Sequence, residues 1–264
     1  MTPGATDMMA KYAIDRLNTI DTVRISHGAF RPIAFSASIT ETISYEYDPK
    51  LPSRVVYENG QFIQVPPFAR PLDVPLPGPN GTHPQYIIPH SETKTVAAAY
   101  LEEQGKQARL IEVCGTWPPQ NMQFVRALYD RGILRNDKIM IAGAEIAIMD
   151  AVSAYLMQYP VGQETNLYGY ALHIDVTGTK DAKKLRYLLT HTHPASDGSV
   201  AGWEKLRAYT RCVGIPMALA TALIAKGKVK RTGVVVPEFA FDPEEVFREL
   251  EKRQIFIQIK VETL

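Results

Sequence analysis

The 264-residue sequence has no Gly-x-Gly-x-x-Gly after a strand and no Gly-x-x-x-x-Gly-Lys-Ser/Thr. These are the turns that cradle nucleotide phosphates on backbone N–H groups, so a self-sufficient dinucleotide-binding enzyme is disfavoured. Cysteine is scarce: Cys114 and Cys212 cannot build a disulfide framework, and buried, reduced thiols in a cytoplasmic setting are expected. No apolar run reaches the ~18–20 residues of a membrane span, and no basic-then-apolar leader opens the sequence. Charge of one sign is lacking as well. Twenty-nine Lys and Arg stand against 28 Asp and Glu, which advertises neither a nucleic-acid nor a membrane partner. Without a Gly-x-Ser-x-Gly elbow, no Ser-His-Asp triad can be nominated.

What is present reads as a folded α/β chain, 45% hydrophobic and 22% charged. Met9, Tyr12, Ala13 and Leu17 recur at helical spacing over 6–17, with Thr6 or Asp7 as N-cap. A short strand is expected over 22–25, and the spacing of Phe35, Ile39 and Ile43 favours a helix within 32–45 against its Ser and Thr content. Asn59-Gly60 between two β-rich runs predicts a tight hairpin. Seven prolines in the nineteen residues from Pro66 to Pro84 predict an irregular loop. Helices are expected over 92–103 (capped by Ser91), 121–130, 147–157 and 201–209. A small-residue helix opens at Pro216, and another is capped by Asp242 with Glu245 closing the box. A strand over 109–114, a hairpin of 167–176 with 185–192 across a polar link at 177–184, and a last strand through Ile255–Val261 complete the pattern. Together these make a mixed or largely antiparallel sheet more fitting than a parallel one.

Four stretches can carry chemistry. Tyr86-Ile87-Ile88-Pro89-His90-Ser91-Glu92 leads into a helix N-terminus, where free N–H groups and a positive dipole end face any ligand. His90 can shuttle a proton or meet a carboxylate, and Glu92 can hold an ammonium. Against this stands the simpler reading, in which Ser91 caps the helix and Glu92 complements its dipole. On the functional reading, replacing His90 or Glu92 should weaken binding with little loss of stability. Gly115-Thr116-Trp117-Pro118 follows a buried strand at its carboxyl end, so Trp117 either walls a pocket or covers the sheet. His191-Thr192-His193 has two ligand-type side chains on one strand face but no third at metal spacing, even with Asp197, His173 and His90 considered. It reads as two polar residues at a strand end facing solvent or a cleft. Gly214-Ile215-Pro216 at a helix mouth is a candidate anion cradle.

Several fragments occur in a telling order: Pro3-Gly4 before the first helix, Tyr57-x-Asn59-Gly60, Val65-Pro66-Pro67-Phe68 and Pro89-His90-Ser91-Glu92. Gly115-Thr116-Trp117-Pro118, Gly214-Ile215-Pro216 and Gly227-x5-Gly233-Val234-Val235-Val236-Pro237-Glu238 follow. With these, nearly the whole chain resembles the non-Rossmann part of the saccharopine dehydrogenase family, most closely its lysine 6-dehydrogenase branch. The resemblance implies an α/β (α+β) domain whose mixed, largely antiparallel sheet is flanked by helices. It also implies NAD(P)-dependent oxidation of an amino-acid C–N bond. His90 and Glu92 would be catalytic, Tyr86, Thr116 and Trp117 would bind substrate, and Gly214 and Pro216 would lie near NAD or NADP; no metal is implied. Residues 1–213 would form a substrate-binding and dimerisation unit, and 214–264 would dock on a dinucleotide-binding partner. The family's Rossmann half has no counterpart here. A split enzyme with a separate Rossmann subunit, a non-catalytic dimeric binding module, and a reading frame beginning before Met1 each account for that.

Overall fold

The computed structural model describes residues 1–30, 37–78, 81–102, 104–134, 137–159, 169–194, 198–202 and 208–264. Its centre is β1 (Thr19–Phe30), a twelve-residue strand where the sequence predicts only 22–25. Val23 and Ile25 are buried, but Arg24 and Ser26 interrupt the apolar run and hide its length. Parallel to β1 lies β6 (Leu110–Thr116), with His27 opposite Gly115. On the other side β9 (Gly169–Lys180) runs antiparallel, followed by β10 (Lys183–His193) and, at the edge, β11 (Gln258–Thr263). The far edge of β6 is shared. β2 (Val55–Glu58) pairs near its start and leads to β3 (Gln61–Gln64), while β5 (Gly81–Ile87) pairs near its end and carries β4 (Leu72–Leu76). The result is a nine-stranded sheet in which, among the described residues, only β1 and β6 are parallel. The largely antiparallel expectation holds.

The hairpin signals hold as well. Asn59 and Gly60 take positive φ between β2 and β3. The β9–β10 pair forms with Tyr170, Leu172, Ile174 and Val176 all in the core. Its link is shorter than predicted, because both strands continue to a two-residue turn at Asp181-Ala182, each at positive φ. Asn18 steadies that turn by accepting from the Asp181 N–H at 2.8 Å.

The proline-rich 66–84 stretch is not wholly irregular: β4 and β5 form a hairpin within it. Pro75 faces Thr82 and Pro84 faces Asp73, positions of the same parity in the ladder. A proline can occupy the parity class whose N–H would point away from the partner strand, so both are tolerated.

Helices pack on both sides. α1 (Ala5–Ile14) lies almost wholly buried against the face of β9 and β1. Its N-cap is Gly4, not Thr6 or Asp7; Asp7 reaches back to accept from the Gly4 N–H at 2.7 Å. Around α1 sit α3 (Glu92–Val96), which continues as a π-helical turn through Ala97–Glu102, then α6 (Ala208–Ala225), α7 (Pro237–Ala240) and α8 (Pro243–Glu251). Asp242 caps α8 as expected, accepting from Glu244 and Glu245 N–H. A second apolar cluster joins α2 (Ala37–Tyr47), α4 (Pro119–Asp130) and α5 (Ile148–Gln158). A small separate hairpin, β7 (Lys138–Ile141) with β8 (Ala144–Ala147), precedes α5.

Two further expectations are corrected. Pro216 does not open a helix but lies inside α6. The carbonyl that its missing N–H would have bonded is that of Cys212, four residues earlier, and the Met1 nitrogen donates to this oxygen at 2.6 Å. The final strand begins at Gln258, so Ile255 is buried ahead of it while Ile259 and Val261 are exposed on β11. The helix expected over 201–209 falls largely on residues outside those described, as do Leu167, Tyr168 and Asp197.

Candidate functional site

The pleat of the central strands builds the site. Side chains two apart share a face, so the apolar row Val23, Ile25 ends in His27, and the row Ile111, Val113 ends in Gly115. On β9 the same face ends in Tyr170. Because β1 and β6 are parallel, both deliver their carboxyl ends to one place, the common location of sites in α/β sheets. A cavity of about 370 Å³ opens there, lined by His27, Glu46, His90, Thr116, Trp117 and Tyr170. Thr2 and Pro3, just before α1, line one side, and Thr2 Oγ1 lies 2.8 Å from the Tyr170 hydroxyl.

His90 is held between two carboxylates. Its Nδ1 is 3.5 Å from Glu92 Oε2 and its Nε2 is 3.9 Å from Glu46 Oε1. Glu92 is fully buried beneath it and accepts from Thr6 Oγ1 at 2.9 Å. Burial is the largest single influence on His90 and opposes its charge. Glu46 and Glu92 together outweigh it and raise the imidazolium to about 10. Burial likewise opposes ionisation of Glu92, but His90 and the Thr6 hydroxyl bring its carboxyl below the ordinary value. Glu46 is positioned at the end of α2, where the Arg54 guanidinium donates to the carbonyl oxygens of Glu46 and Asp48. Trp117 Nε1 donates to Glu46 Oε2 at 3.4 Å.

His27 stands beside this triad, its ring centroid 5.1 Å from that of His90. Burial first, and the neighbouring imidazolium second, push it down to about 3, so it is neutral where His90 is charged. Its ring lies over Gly115. A Cβ at Gly115, one residue before the end of β6, would fall 3.2 Å from His27 Nε2 and 2.8 Å from Ile88 Cδ1, so a side chain here would press on both. Behind Glu92, Asp7 and Glu238 are both buried. Burial, followed by the charges of Glu238 and Glu92, raises Asp7 well above the usual carboxylate range.

Of the residues singled out in the sequence, His90, Thr116 and Trp117 line the cavity, with Glu92 directly behind His90. Tyr86 sits outside that lining, edge-on to Phe68 at 5.1 Å in the second apolar cluster. Ser91 occupies the N-cap position of α3 but makes no side-chain cap bond, and Glu92 serves His90 rather than merely facing a dipole. Gly214 and Pro216 lie apart. Pro216 lines an apolar groove of about 280 Å³ with Met1, Met8, Met217 and Phe241, which adjoins the polar cavity through Thr2 and Pro3.

Both Gly214 and Pro216 are inside α6, so the helix mouth expected there does not exist. A Cβ on Gly214 would meet nothing within 4 Å, so no close approach calls for glycine. These residues do not fit a dinucleotide's phosphates. His191 and His193, expected to face solvent or a cleft, are buried, with His191 Nε2 3.1 Å from His193 Nδ1. No cluster of three or more metal-type ligands occurs among the described residues. Cys114 and Cys212 are free, buried thiols whose burial raises them above the ordinary thiol range. No helix among the described residues is long and apolar enough to cross a membrane.

Sequence reasoning missed His27, Glu46 and Tyr170. The signal for His27 was the alternation Val23-x-Ile25-x-His27, an apolar strand face ending in a polar group. Nothing local marks Glu46, which reaches the site only because α2 packs there.

A comparison with curated proteins found no match. The profile described as the saccharopine dehydrogenase C-terminal domain matches residues 1–255. That covers nearly the whole length, and the chain belongs to this family.

Proposed function

We propose that this chain is the substrate-binding and dimerisation portion of a cytoplasmic saccharopine- or lysine 6-dehydrogenase-like oxidoreductase acting on an amino-acid C–N bond, its NAD(P) site brought by another chain. The supporting observation is the open, polar cavity at the carboxyl ends of β1 and β6, with the Glu46–His90–Glu92 charge array in its wall. Its volume suits a small amino-acid-like molecule. A side chain kept only for structure would fill such a space rather than leave it open. The chain's own part is to bind and orient. Trp117 forms a flat wall, the carboxylates favour an amino group, and His90 fixes the positions of both carboxylates.

Glu92 is supported as a positioning group through His90, and Tyr86 as a residue supporting the wall through Phe68, which packs on the lining Tyr47 with ring centroids 4.9 Å apart. The partner is assigned to the exposed face of α6, where Val213, Met217 and Ile224 leave large apolar side chains in water. The alternative, a non-catalytic amino-acid-binding dimer, is favoured by the same cavity together with the poor fit of Gly214 and Pro216 to a dinucleotide.

Two measurements test the reading. Calorimetric titration of the purified chain with L-lysine should give saturable binding that weakens in Trp117→Leu; no binding of L-lysine or of saccharopine overturns it. Native mass spectrometry of the protein taken from its own cells should then reveal a Rossmann-sized companion. A homo-oligomer alone that still binds lysine would establish the non-catalytic alternative.

A further inference from the structure

Three observations around the cavity converge on one end of its ligand. The first is a charge count. Glu46 and Glu92 supply two carboxylates, His90 one imidazolium, and no Lys or Arg is among the described lining residues. His90 is already committed to the two carboxylates, and the other cation nearby, the Met1 ammonium, donates to Cys212 O and faces Glu92 and Asp7, so no lining cation is left for a ligand carboxylate or phosphate.

The second is His27. It lines the cavity half-buried, and both of its ring nitrogens are covered yet have no hydrogen-bond partner. An imidazole left that way loses about 1–3 kcal/mol per unmade bond, a cost that ligand contact removes. The ring nitrogens are covered, so the accessible part of the residue is not nitrogen. A half-turn of the ring exchanges carbon for nitrogen within the same volume and turns a nitrogen to the cavity.

The third is the neighbour. A second positive charge beside His90, at a ring separation of 5.1 Å, is unfavourable. His27 therefore keeps a lone pair, and can accept a hydrogen bond at neutral pH.

We infer that the cavity takes the ammonium end of its ligand, with His27 accepting one N–H bond and the Glu46 carboxylate balancing the charge. This rests on the amino-acid reading given above and adds to it which end enters and which unassigned residue meets it.

The test uses n-butylammonium and butyrate as separate probes on the full chain, with calorimetry for affinity and ¹⁵N spectra of the histidine rings. Wild type should bind n-butylammonium and not butyrate, with the His27 ring nitrogen resonance moving on binding. His27→Phe, which keeps a ring but no acceptor, should lose about tenfold or more in affinity, the loss of one hydrogen bond to a charged group. His27→Asn should recover part of it. Equal affinity in wild type and His27→Phe, or an unmoved His27 resonance while n-butylammonium binds, overturns the role of His27 and leaves the amino-acid pocket standing. Preference for butyrate reverses the orientation and overturns the inference. Failure of both probes and of L-lysine overturns the pocket itself. The wild-type ¹⁵N measurement decides the matter even if His27→Phe does not fold.

Discussion

The molecule holds two close pairs of histidines, and of their four rings only His90 is charged. His27 and His90 line the cavity at the end of β1 and β6; His191 and His193 sit on β10. In the second pair Phe256 O must accept, so His191 Nδ1 carries the proton and its Nε2 accepts from His193 Nδ1. Burial then lowers both, His191 to about 4. In the cavity burial acts the same way on His27, but two carboxylates reverse it on His90. Burial alone makes a histidine a neutral structural piece; burial with carboxylates on both sides makes it a fixed cation. The contrast separates a candidate site from a packing device without appeal to any motif.

The largest expected effect is the contrast itself. Ring titrations followed by NMR should place His90 near 10 and His191 near 4. Equal values for the two would erase the distinction. Glu92→Gln should lower the His90 value and leave His191 where it was.

Next in size is stability. His90→Ala leaves a fully buried Glu92 without its counter-charge, which should cost about 3 kcal/mol near neutral pH. The burial of Glu92 thus replaces the expectation that these residues can be exchanged at little cost to the fold. The sign with pH follows from the raised value of His90. Its contribution is complete below the unfolded value of about 6.5 and lost as pH rises through about 10. Denaturant unfolding of wild type and His90→Ala at pH 6.5 and 10.5 should therefore show the gap shrinking at the higher pH. For His27 and His191 the sign is opposite: stability declines as pH falls from about 6.5 towards 3 to 4.

Gly115→Ala should cost about 2 kcal/mol by pressing on Ile88 and His27, and should shift the His27 ring signals without moving those of His191. The smallest effect belongs to His193→Phe, about 1 kcal/mol for the hydrogen bond to His191. That cost should be flat between pH 6.5 and 10, with binding in the cavity unchanged. A binding loss in His193→Phe as large as that in Trp117→Leu would join the two regions that the comparison separates.

Local chemistry was legible where a few residues decide the outcome. Asn59-Gly60 makes its turn, Asp242-Pro243 starts its helix, and the alternation from Tyr170 to Val176 forms its strand. Half of the site was legible too: His90, Thr116 and Trp117 were named from a helix entry and a strand end, and they line one cavity. Errors arose where a residue's meaning depends on a distant partner. Pro216 reads as a helix start, yet the chain's first residue supplies the bond that its ring withholds from Cys212. Pro75 and Pro84 read as loop residues, yet ladder parity spares them. The pair His191 and His193 reads as exposed until Phe256 arrives from 65 residues away.

By itself the sequence determined the Asn59-Gly60 turn, the Asp242 cap, the strand alternation and the family, because each depends on residue types at short and regular separations. Only the tertiary structure decided that Glu46 completes the array around His90, that His27 faces it, and that His90 is charged while His27, His191 and His193 are neutral. The physical reason is that the charge state of a histidine out of water is set by which carboxylates lie within a few ångströms, and those come from α2 and α3, elements separated in the sequence and brought to His90 only by the fold.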